Sequence, residues 1–362
     1  MMAFALIGLI AGAASALMFA SIISGALISL VLFYLAPLPL MVAAIGWGPL
    51  CASLGGIAAA IGLGALFGLP YGIAFALTVA LPAWWLGHLA LLSRPVGAVA
   101  PNAAAEPAAA PELEWYPVGR ILLWLAGFAA LTTMAALLTL GTDAETILGT
   151  LRRGLMRLLR ATDPQSSGEA GQFVDALVRM APAGATIIAM LTLTLNLWLS
   201  AKITATSGRL RRPWPDLKTA ELPPMTLVAL CVALAFCFTG GLVAIVAQIT
   251  AAALMIGYAL TGFAVLHTLT LALKSRTFWL GSTYAVVVVF GWPVIAMVIL
   301  GLADAMFGFR ERFLRSRQQP PPLPTPEFNP KTENPQSTSI GERIWKSFCW
   351  NASTSSARWA KS

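Results

Sequence analysis

The sequence contains few charged residues, and its first 93 positions contain none, since Arg94 is the first. Asp, Glu, Lys and Arg make up 10% of the 362 residues, whereas soluble domains contain roughly 25%. Hydrophobic residues make up 58%, and the mean hydropathy is +0.79. These values exclude a soluble globular protein and predict a chain that lies in a membrane.

Histidine and cysteine are also scarce, which excludes most metal and nucleophile sites. The chain has two histidines, His88 and His267, and four cysteines without CxxC or Cys/His ligand spacing. It contains no HExxH, GxSxG or Walker sequence and no glycine-rich dinucleotide motif after a strand. We therefore expect no enzymatic activity, no metal site and no cofactor.

Carboxylates are absent from the apolar runs. The acids at the ends of these runs are Asp143, Glu221 and Asp304, and no predicted span contains a pair of them. This distribution argues against a proton relay or an ion-coupled carboxylate site. Asp304 and Arg310 could form an interface pair, although a helix end can carry such a pair without any function.

Five uncharged runs are longer than the roughly 20 residues that cross a bilayer. They cover residues 1–93, 121–142, 180–201, 222–273 and 277–303. Lipid accepts only helices or closed barrels, and these runs lack the period-two alternation of a barrel strand. We therefore predict an all-α polytopic membrane protein with about eight transmembrane helices, where seven to nine fit the lengths at about 20 residues each.

The chain is predicted to form two membrane blocks joined by a linker. Residues 1–93 are an N-terminal block of three or four helices, 94–117 an extended Pro/Ala linker, and 118–317 a second block of about five helices. Within the second block, residues 143–160 place apolar side chains on one helix face and arginines on the other. This pattern predicts a helix in the membrane interface that reaches anionic lipid headgroups, and the alternative is a soluble helix packed on a partner.

The formal charge of +8 comes from basic residues in loops beside membrane segments, not from one cluster interleaved with aromatic residues. It favours contact with the bilayer and its anionic headgroups over contact with nucleic acid. If 277–303 crosses once, the two sides carry equal numbers of basic residues, and the positive-inside rule leaves the orientation open. A hairpin at Pro293 would favour a cytoplasmic loop at 202–223, but the run is too short for two full crossings.

Proline and glycine interrupt the first block twice. Pro37-Leu38-Pro39 is expected to end a helix that begins near residue 4 and is either continuous or broken near Gly25. Gly46-Trp47-Gly48-Pro49 is the second interruption. The segment between them is either a turn outside the membrane or a re-entrant piece, and such broken segments mark binding sites in transporters.

Small residues at Gly8, Gly12, Ala16 and Ala20 recur every fourth position and continue to Ser24. On a helix they form a ridge without bulky side chains, against which another helix can lie closely. We therefore treat Gly8, Gly12, Ala16 and Ala20 as candidates for docking a partner. The first thirty residues are rich enough in Gly, Ala and Ser for such a run to arise by chance.

Polar side chains within the spans are the candidates for ligand binding. Asn196, Gln248 and His267 are the three that we select. Each could equally serve as a hydrogen bond between helices, which is the commoner role of a polar residue in a span.

The C-terminal residues 318–362 are predicted to form a Pro-rich, disordered tail. Residues 327–362 nevertheless contain three tryptophans and a cysteine, which is unusual for such a tail. Two origins stay open: an ordinary disordered tail, or a segment that comes from a shifted reading frame or an artificial join.

Five short motifs follow one another along residues 1–317. They are Leu38-Pro39-Leu40, Gly46-Trp47-Gly48-Pro49, Ala181-Pro182-Ala183 with Asn196, Arg211-Arg212-Pro213 through Pro223-Pro224, and Gly301-Leu302-Ala303-Asp304 with Phe309-Arg310. Their order resembles the YybS-like family of bacterial inner-membrane proteins of unknown function. That family is similar to the substrate-binding S components of energy-coupling-factor vitamin transporters, so the resemblance implies an S-component-like helical core.

S components dock on a membrane coupling subunit, which works with an ATPase, through alanines spaced four apart on the first helix. By this resemblance, Ala16 and Ala20 correspond to those alanines. The chain departs from S components by about two extra helices, the arginine-rich helix and the lack of a recognisable vitamin-binding loop.

Two functions are expected. The first is an S-component-like subunit of the bacterial inner (plasma) membrane that binds or transports a small molecule or lipid, with a coupling subunit and an ATPase as partners. The alternative is a non-catalytic scaffold or interaction protein in envelope processes, with residues 202–223 and 143–160 as partner surfaces. An enzyme acting on lipids has the least support, because acids and histidines do not converge at one membrane level.

Overall fold

The computed structural model describes residues 2–96, 112–162, 170–215, 220–272 and 274–317. The chain divides into two compact units, Met1–Phe313 and Leu314–Ser362. The predicted tail at 318–362 lies outside the described residues, and so does the centre of the predicted linker, at 97–111.

The N-terminal block consists of short helices joined into longer segments. Its helices are α1 (Met2–Ala20), α2 (Leu27–Leu35), α3 (Pro37–Trp47), α4 (Pro49–Phe67), α5 (Leu69–Phe75) and α6 (Leu81–Leu91). A 3₁₀ turn at Ser21–Ser24 extends α1, and a π-helical turn at Ala76–Ala80 joins α5 to α6.

The second block begins after a pair of short strands. Its elements are β1 (Ser93–Val96), β2 (Glu112–Trp115), α7 (Val118–Leu138), α8 (Ala144–Thr162), α9 (Ala170–Thr206), α10 (Met225–Phe236), α11 (Gly241–Leu269), α12 (Arg276–Phe290), α13 (Val294–Phe307) and α14 (Phe309–Arg317).

Within the described residues, seven helical segments are long and apolar enough to cross a membrane. They are Met2–Ser24, Leu27–Trp47, Pro49–Phe67, Leu69–Leu91, Val118–Leu138, Gly171–Thr206 and Gly241–Leu269. The helices α10, α12 and α13 are apolar but shorter. The predicted all-α, polytopic class is confirmed, with the number of long segments at the lower limit of the expected range.

Glycines with positive φ separate the N-terminal segments. Gly25 (φ 68°), Gly48 (φ 109°) and Gly68 (φ 97°) each follow the end of a helical segment, and other residues would be strained in this conformation. A helix ends before Pro37-Leu38-Pro39 as expected, since α2 ends at Leu35, but α3 begins at Pro37 and Leu27–Trp47 is one membrane-length segment. Proline is well tolerated in the first turn of a helix, where the N–H group would have no helical partner.

The two ends of the predicted extended linker at 94–117 form strands that pair with each other. β1 and β2 pair as antiparallel strands, with Ser93 opposite Trp115 and Val96 opposite Glu112. The ladder satisfies backbone groups that an extended linker would leave to water. Both membrane blocks belong to the unit Met1–Phe313, and the division of the chain at the linker stays a prediction.

The run 277–303 is broken, and the expectation of a single span there is wrong. Gly291 has a φ of 71° and separates α12 from α13. The helix α13 runs antiparallel along α11, because Met297 lies against Gly262 and Gly301 lies against Tyr258. α12 has no buried residue.

The glycine ridge of α1 packs against α4 of the same chain. A Cβ atom at Gly8 would meet the backbone of Cys51, and one at Gly12 would collide with the backbone of Gly55. Because both contacts are offset by the same number of residues, the two helices run parallel. The ridge is a helix-packing face, but its occupant is intramolecular, which corrects the expectation that it docks a separate partner.

We predict that Gly12→Leu destabilises the protein. The added side chain has to displace the backbone of α4, and overpacking of this kind costs about 3 kcal/mol. This loss corresponds to a fall of roughly 5–10 °C in the melting temperature, which thermal unfolding in mild detergent would measure. Ala13→Leu is the matched control, because Ala13 is exposed on the same helix. Equal melting temperatures for the two variants would contradict the α1–α4 contact.

Candidate functional site

Asn196 is the predicted ligand residue that lies deepest in the helix bundle. Its side chain on α9 is fully buried, and its Nδ2 group donates to the carbonyls of Tyr34 and Thr192 at 2.8 Å each. Its Oδ1 atom is also buried but has no hydrogen-bond partner among the described residues. Both Tyr34 and Asn196 lie well inside the apolar segments Leu27–Trp47 and Gly171–Thr206.

The carbonyl of Tyr34 is available because the helix is interrupted there. α2 ends at Leu35 and α3 begins at Pro37, and in an i→i+3 turn the donor to Tyr34 would be Pro37, which has no N–H group. Ala36 donates to Phe33 instead, as in a tighter 3₁₀ turn. Asn196 therefore satisfies a carbonyl at the break that the sequence predicted.

The face of α9 that meets α3 is polar. Asn196, Ser200 and Thr204 follow each other at intervals of four residues, and all three are fully buried. The hydroxyl of Ser200 donates to Leu197, and that of Thr204 donates to Ser200, so both hydroxyl protons are used within the helix. Of this face, only Asn196 holds a buried atom without a partner among the described residues.

The unpartnered amide oxygen of Asn196 differs chemically from the other buried atoms of this kind. Among the described residues these are the hydroxyls of Ser15 and Thr132 and the indole nitrogen of Trp85. A hydroxyl can rotate to a carbonyl of its own helix, whereas an amide oxygen is only an acceptor and needs a donor. The N–H groups of a helix interior are already bonded within the helix. Among the described residues no group donates to the oxygen of Asn196, and a ligand or a water molecule could supply the donor.

Gln248 and His267 do not converge with each other. Both are half-buried on α11, and at 1.5 Å per residue they lie about 28 Å apart along the helix axis. The Nδ1 atom of His267 lies 2.9 Å from the carbonyl of Phe263 on its own helix, and its ring lies 5.9 Å from that of Tyr284. The three predicted ligand residues therefore cannot line one small-molecule site.

The remaining docking residues, Ala16 and Ala20, are half-buried and pack against the main hydrophobic core. They continue the face that Gly8 and Gly12 present to the rest of the chain. The four small residues that we selected for a partner thus face the interior of this protein.

Asp304 and Arg310 form a buried ion pair. The sequence did not indicate how deeply this pair is buried or what else it contacts. Their side chains are 4% and 3% exposed, and the Nε atom of Arg310 lies 2.6 Å from Oδ2 of Asp304. The backbone N–H of Arg310 also donates to the carboxylate, at 2.9 Å. Gly308, with a φ of 62°, ends α13 and turns the chain so that α14 brings Arg310 back to Asp304.

Arg310 also fastens α14 to the loop before α10. Its Nη1 atom donates to the carbonyl of Ala220 at 2.9 Å, and its Nη2 atom lies 3.7 Å from Glu221. We use the name Arg310 clamp for Asp304, Arg310, Ala220 and Glu221. The sequence indicated the Asp304–Arg310 pair from its spacing, but nothing in it indicated Ala220, which lies 90 positions away.

The Arg310 clamp lies at the same end of the bundle as the β1–β2 ladder. The backbone of Glu221 packs against Gly119 at the start of α7. Shortly before α7, Tyr116 donates to Leu92 and accepts a 2.9 Å hydrogen bond from Arg212. Burial lowers the pKa of the Arg212 guanidinium from its usual value. We call this region the basic end.

The amphipathic helix α8 lies at the opposite end. Its Ile147 is fully buried in a cluster with Leu137 of α7 and Ile245 of α11, while its Arg153 and Arg157 are exposed. The polar and apolar faces therefore lie where the sequence predicted them. Placement of α8 in a membrane interface stays a prediction.

Asp143 fixes the start of α8. Its carboxylate accepts a hydrogen bond from the Thr146 hydroxyl at 2.6 Å and one from the Thr146 backbone N–H at 2.8 Å. These bonds stabilise the ionised form and hold the pKa of Asp143 below its usual range. Arg152 pairs with Asp175 at 2.8 Å and links α8 to α9.

An open groove of about 430 Å³ runs between α10 and α11. It is lined by Ala229, Val232, Ala233, Phe236, Leu242, Val243, Val246, Ala247 and Thr250. With a single hydroxyl among apolar side chains, it offers little to orient a polar ligand. None of the three predicted ligand residues lines it.

Within the part of the chain that the structure describes, no group of three or more His, Cys, Asp or Glu side chains could hold a metal ion. No protein-family model, curated protein or solved structure matches the chain. The resemblance to the YybS-like family and the S-component-like core therefore stay predictions.

We predict that Arg310→Ala is strongly destabilising. It leaves the carboxylate of Asp304 buried and unpaired, which costs about 3–5 kcal/mol, and thermal unfolding in detergent would measure the loss. Arg312→Ala is the control, because Arg312 is exposed on the same helix. The double variant Asp304→Leu/Arg310→Met should recover part of the loss, since it removes both charges. A melting temperature of Arg310→Ala equal to that of the control would refute the clamp.

Proposed function

We propose that this chain is a membrane-embedded binding subunit of the S-component-like kind, which binds or transports a small polar molecule or a lipid. The observation that carries the proposal is the buried, unpartnered Oδ1 atom of Asn196 beside the carbonyl of Tyr34. The ligand would donate a hydrogen bond to this oxygen. The bacterial inner (plasma) membrane is the proposed location.

The position of Asn196 supports this role. Broken helices inside the membrane supply binding sites in transporters, because their backbone carbonyls lack helical partners. Asn196 is fixed against such a break through Tyr34, and its second polar atom remains available. A buried acceptor without a donor costs about 1–3 kcal/mol, and a bound ligand would remove this cost.

A membrane coupling subunit and an ATPase are the partners that belong to this proposal. Their docking surface would not be the face of Gly8 and Gly12, which α4 covers. The outer side of α1 is the accessible alternative, where Leu9 and Leu17 are exposed.

The experiment that tests this proposal is purification of the protein in mild detergent, followed by mass spectrometry of the small molecules that remain bound. The wild type should carry one molecule with an N–H or O–H donor at close to one per chain. Asn196→Ala should weaken the affinity by about tenfold and so lower this occupancy below that of the wild type, because a buried hydrogen bond of about 1.4 kcal/mol is lost. Thr194→Val is the matched control, because the Thr194 hydroxyl bonds within its own helix.

A wild type without any such molecule, or equal occupancy in Asn196→Ala and the control, would contradict the proposal. The melting temperatures of both variants separate a loss of binding from a loss of folding. Recovery of envelope proteins without a ligand would favour the alternative function, a scaffold or interaction protein.

The proposal includes an orientation of the protein in the membrane, in which the basic end lies in the cytoplasm. The described basic residues near this end are Arg94, Arg120, Lys202, Arg209, Arg211, Arg212, Arg310 and Arg312, whereas those with exposed side chains near the opposite end are Arg152, Arg153, Arg157 and Arg179. The Arg310 clamp supports this distribution, because it holds α14 at the end that also carries Arg212. The positive-inside rule then places the basic end in the cytoplasm.

Cysteine labelling tests the orientation. In a background with all four native cysteines replaced, Arg153→Cys and Arg312→Cys each introduce one exposed thiol. A membrane-impermeant maleimide should label Arg153→Cys in intact cells and Arg312→Cys only after the membrane is permeabilised. The reverse pattern, or labelling of both variants in intact cells, would exclude this orientation.

A further inference from the structure

Two cation–aromatic pairs lie close together where α3 and α9 end. The guanidinium of Arg209 lies over the ring of Trp47 at 4.4 Å, and the ammonium of Lys202 lies over the ring of Trp214 at 5.3 Å. Trp47 is the last residue of α3, and Lys202 lies in the last two turns of α9. Both distances fall within the range of a cation–π interaction.

The local fold places Arg209 on α3. α9 ends at Thr206, and the backbone N–H groups of Arg209 and Leu210 both donate to the carbonyl of Thr204. Gly208, with a φ of 68°, allows this tight ending. The chain thereby turns back, so that a Cβ atom at Gly46 would lie 3.9 Å from Cδ of Arg209.

The cations of this region are not neutralised locally. Residues 202–218 contain five basic residues and one acid, Asp216, and the whole segment before Arg94 is uncharged. Arg212 is committed to the carbonyl of Tyr116. Lys202, Arg209 and Arg211 are exposed, and none of the ion pairs among the described residues involves them.

We propose that Trp47, Lys202, Arg209, Arg211 and Trp214 form a binding site for the headgroup of an anionic phospholipid, which we call the Arg–Trp site. Arginine binds phosphate oxygens through paired N–H groups, and lysine adds a second positive charge. Tryptophan favours the headgroup level of a bilayer. The two rings hold the cations at the ends of membrane segments, where lipid phosphates lie.

The Arg–Trp site does not depend on a ligand at Asn196. It belongs to the basic end, and anionic lipids are concentrated in the cytoplasmic leaflet, so it fits the proposed orientation. Its test uses purified protein and therefore does not depend on that orientation.

The test is native mass spectrometry of the full-length protein in detergent, titrated with phosphatidylglycerol or phosphatidylcholine. The wild type should bind phosphatidylglycerol at least fivefold more tightly than phosphatidylcholine. Lys202→Gln/Arg209→Gln/Arg211→Gln should remove most of this preference. The control Arg94→Gln/Arg120→Gln/Arg312→Gln removes the same charge from exposed positions of the same end and should change the preference less than twofold. Trp214→Ala should weaken binding by a smaller factor than the triple variant.

Three results would overturn the proposal. Equal effects of the site and control variants would indicate general charge attraction, which salt weakens without regard to position. Displacement of phosphatidylglycerol by millimolar inorganic phosphate would identify a free-anion site instead of a lipid site. Equal affinity of the wild type for the two lipids would show that the protein has no site selective for an anionic headgroup. Melting temperatures of the variants in lipid-free detergent control for folding.

Discussion

Backbone carbonyls that precede prolines obtain their hydrogen-bond donors from distant side chains. Three such bonds are present, from Asn196 to Tyr34, from Arg212 to Tyr116 and from Arg310 to Ala220. Each acceptor lies within three residues before a proline, which has no N–H group of its own. An unpaired carbonyl in apolar surroundings is costly, so these bonds join segments that are 90 to 162 positions apart.

The Arg310 bond also decides how the second block is arranged. If residues 277–303 crossed the membrane once, the basic residues after Asp304 would lie on the side opposite to Arg212. The break at Gly291 and the contact of Arg310 with Ala220 return this segment to the basic end. The balance of positive charge between the two ends therefore depends on the break at Gly291 as well as on the buried side chain of Arg310.

The sequence was sufficient for the fold class, because a charge-free run of about 20 residues has few stable conformations besides a membrane helix. It also located the turn at Gly48 and gave a turn near Gly25 as one of two alternatives; positive φ at both glycines excludes most other residues. It was insufficient at Pro37, since a proline can equally end one helix or begin the next. At Gly8 and Gly12, spacing identified a face for close packing but contained no information on which helix would cover it.

At the candidate site, too, the sequence indicated local features but not the contacts between residues far apart in the chain. A polar side chain in an apolar span can be recognised in the sequence, and Asn196, Gln248 and His267 met this criterion equally. Whether such a residue is satisfied depends on its neighbours in space. His267 meets a carbonyl of its own helix, whereas Asn196 reaches Tyr34 from another segment of the chain. The distinction therefore required the packing of α9 on the segment formed by α2 and α3.

The Asn196 amide and the Arg310 clamp differ in how many of their buried polar atoms have hydrogen-bond partners. In the clamp, the carboxylate of Asp304 accepts two hydrogen bonds from Arg310, which also donates to Ala220. Asn196 uses both of its donor protons on carbonyls and leaves its oxygen buried without a donor. A ligand that donates a hydrogen bond to this oxygen would remove the cost of burying it unpaired, and this is the argument for the proposed binding at Asn196.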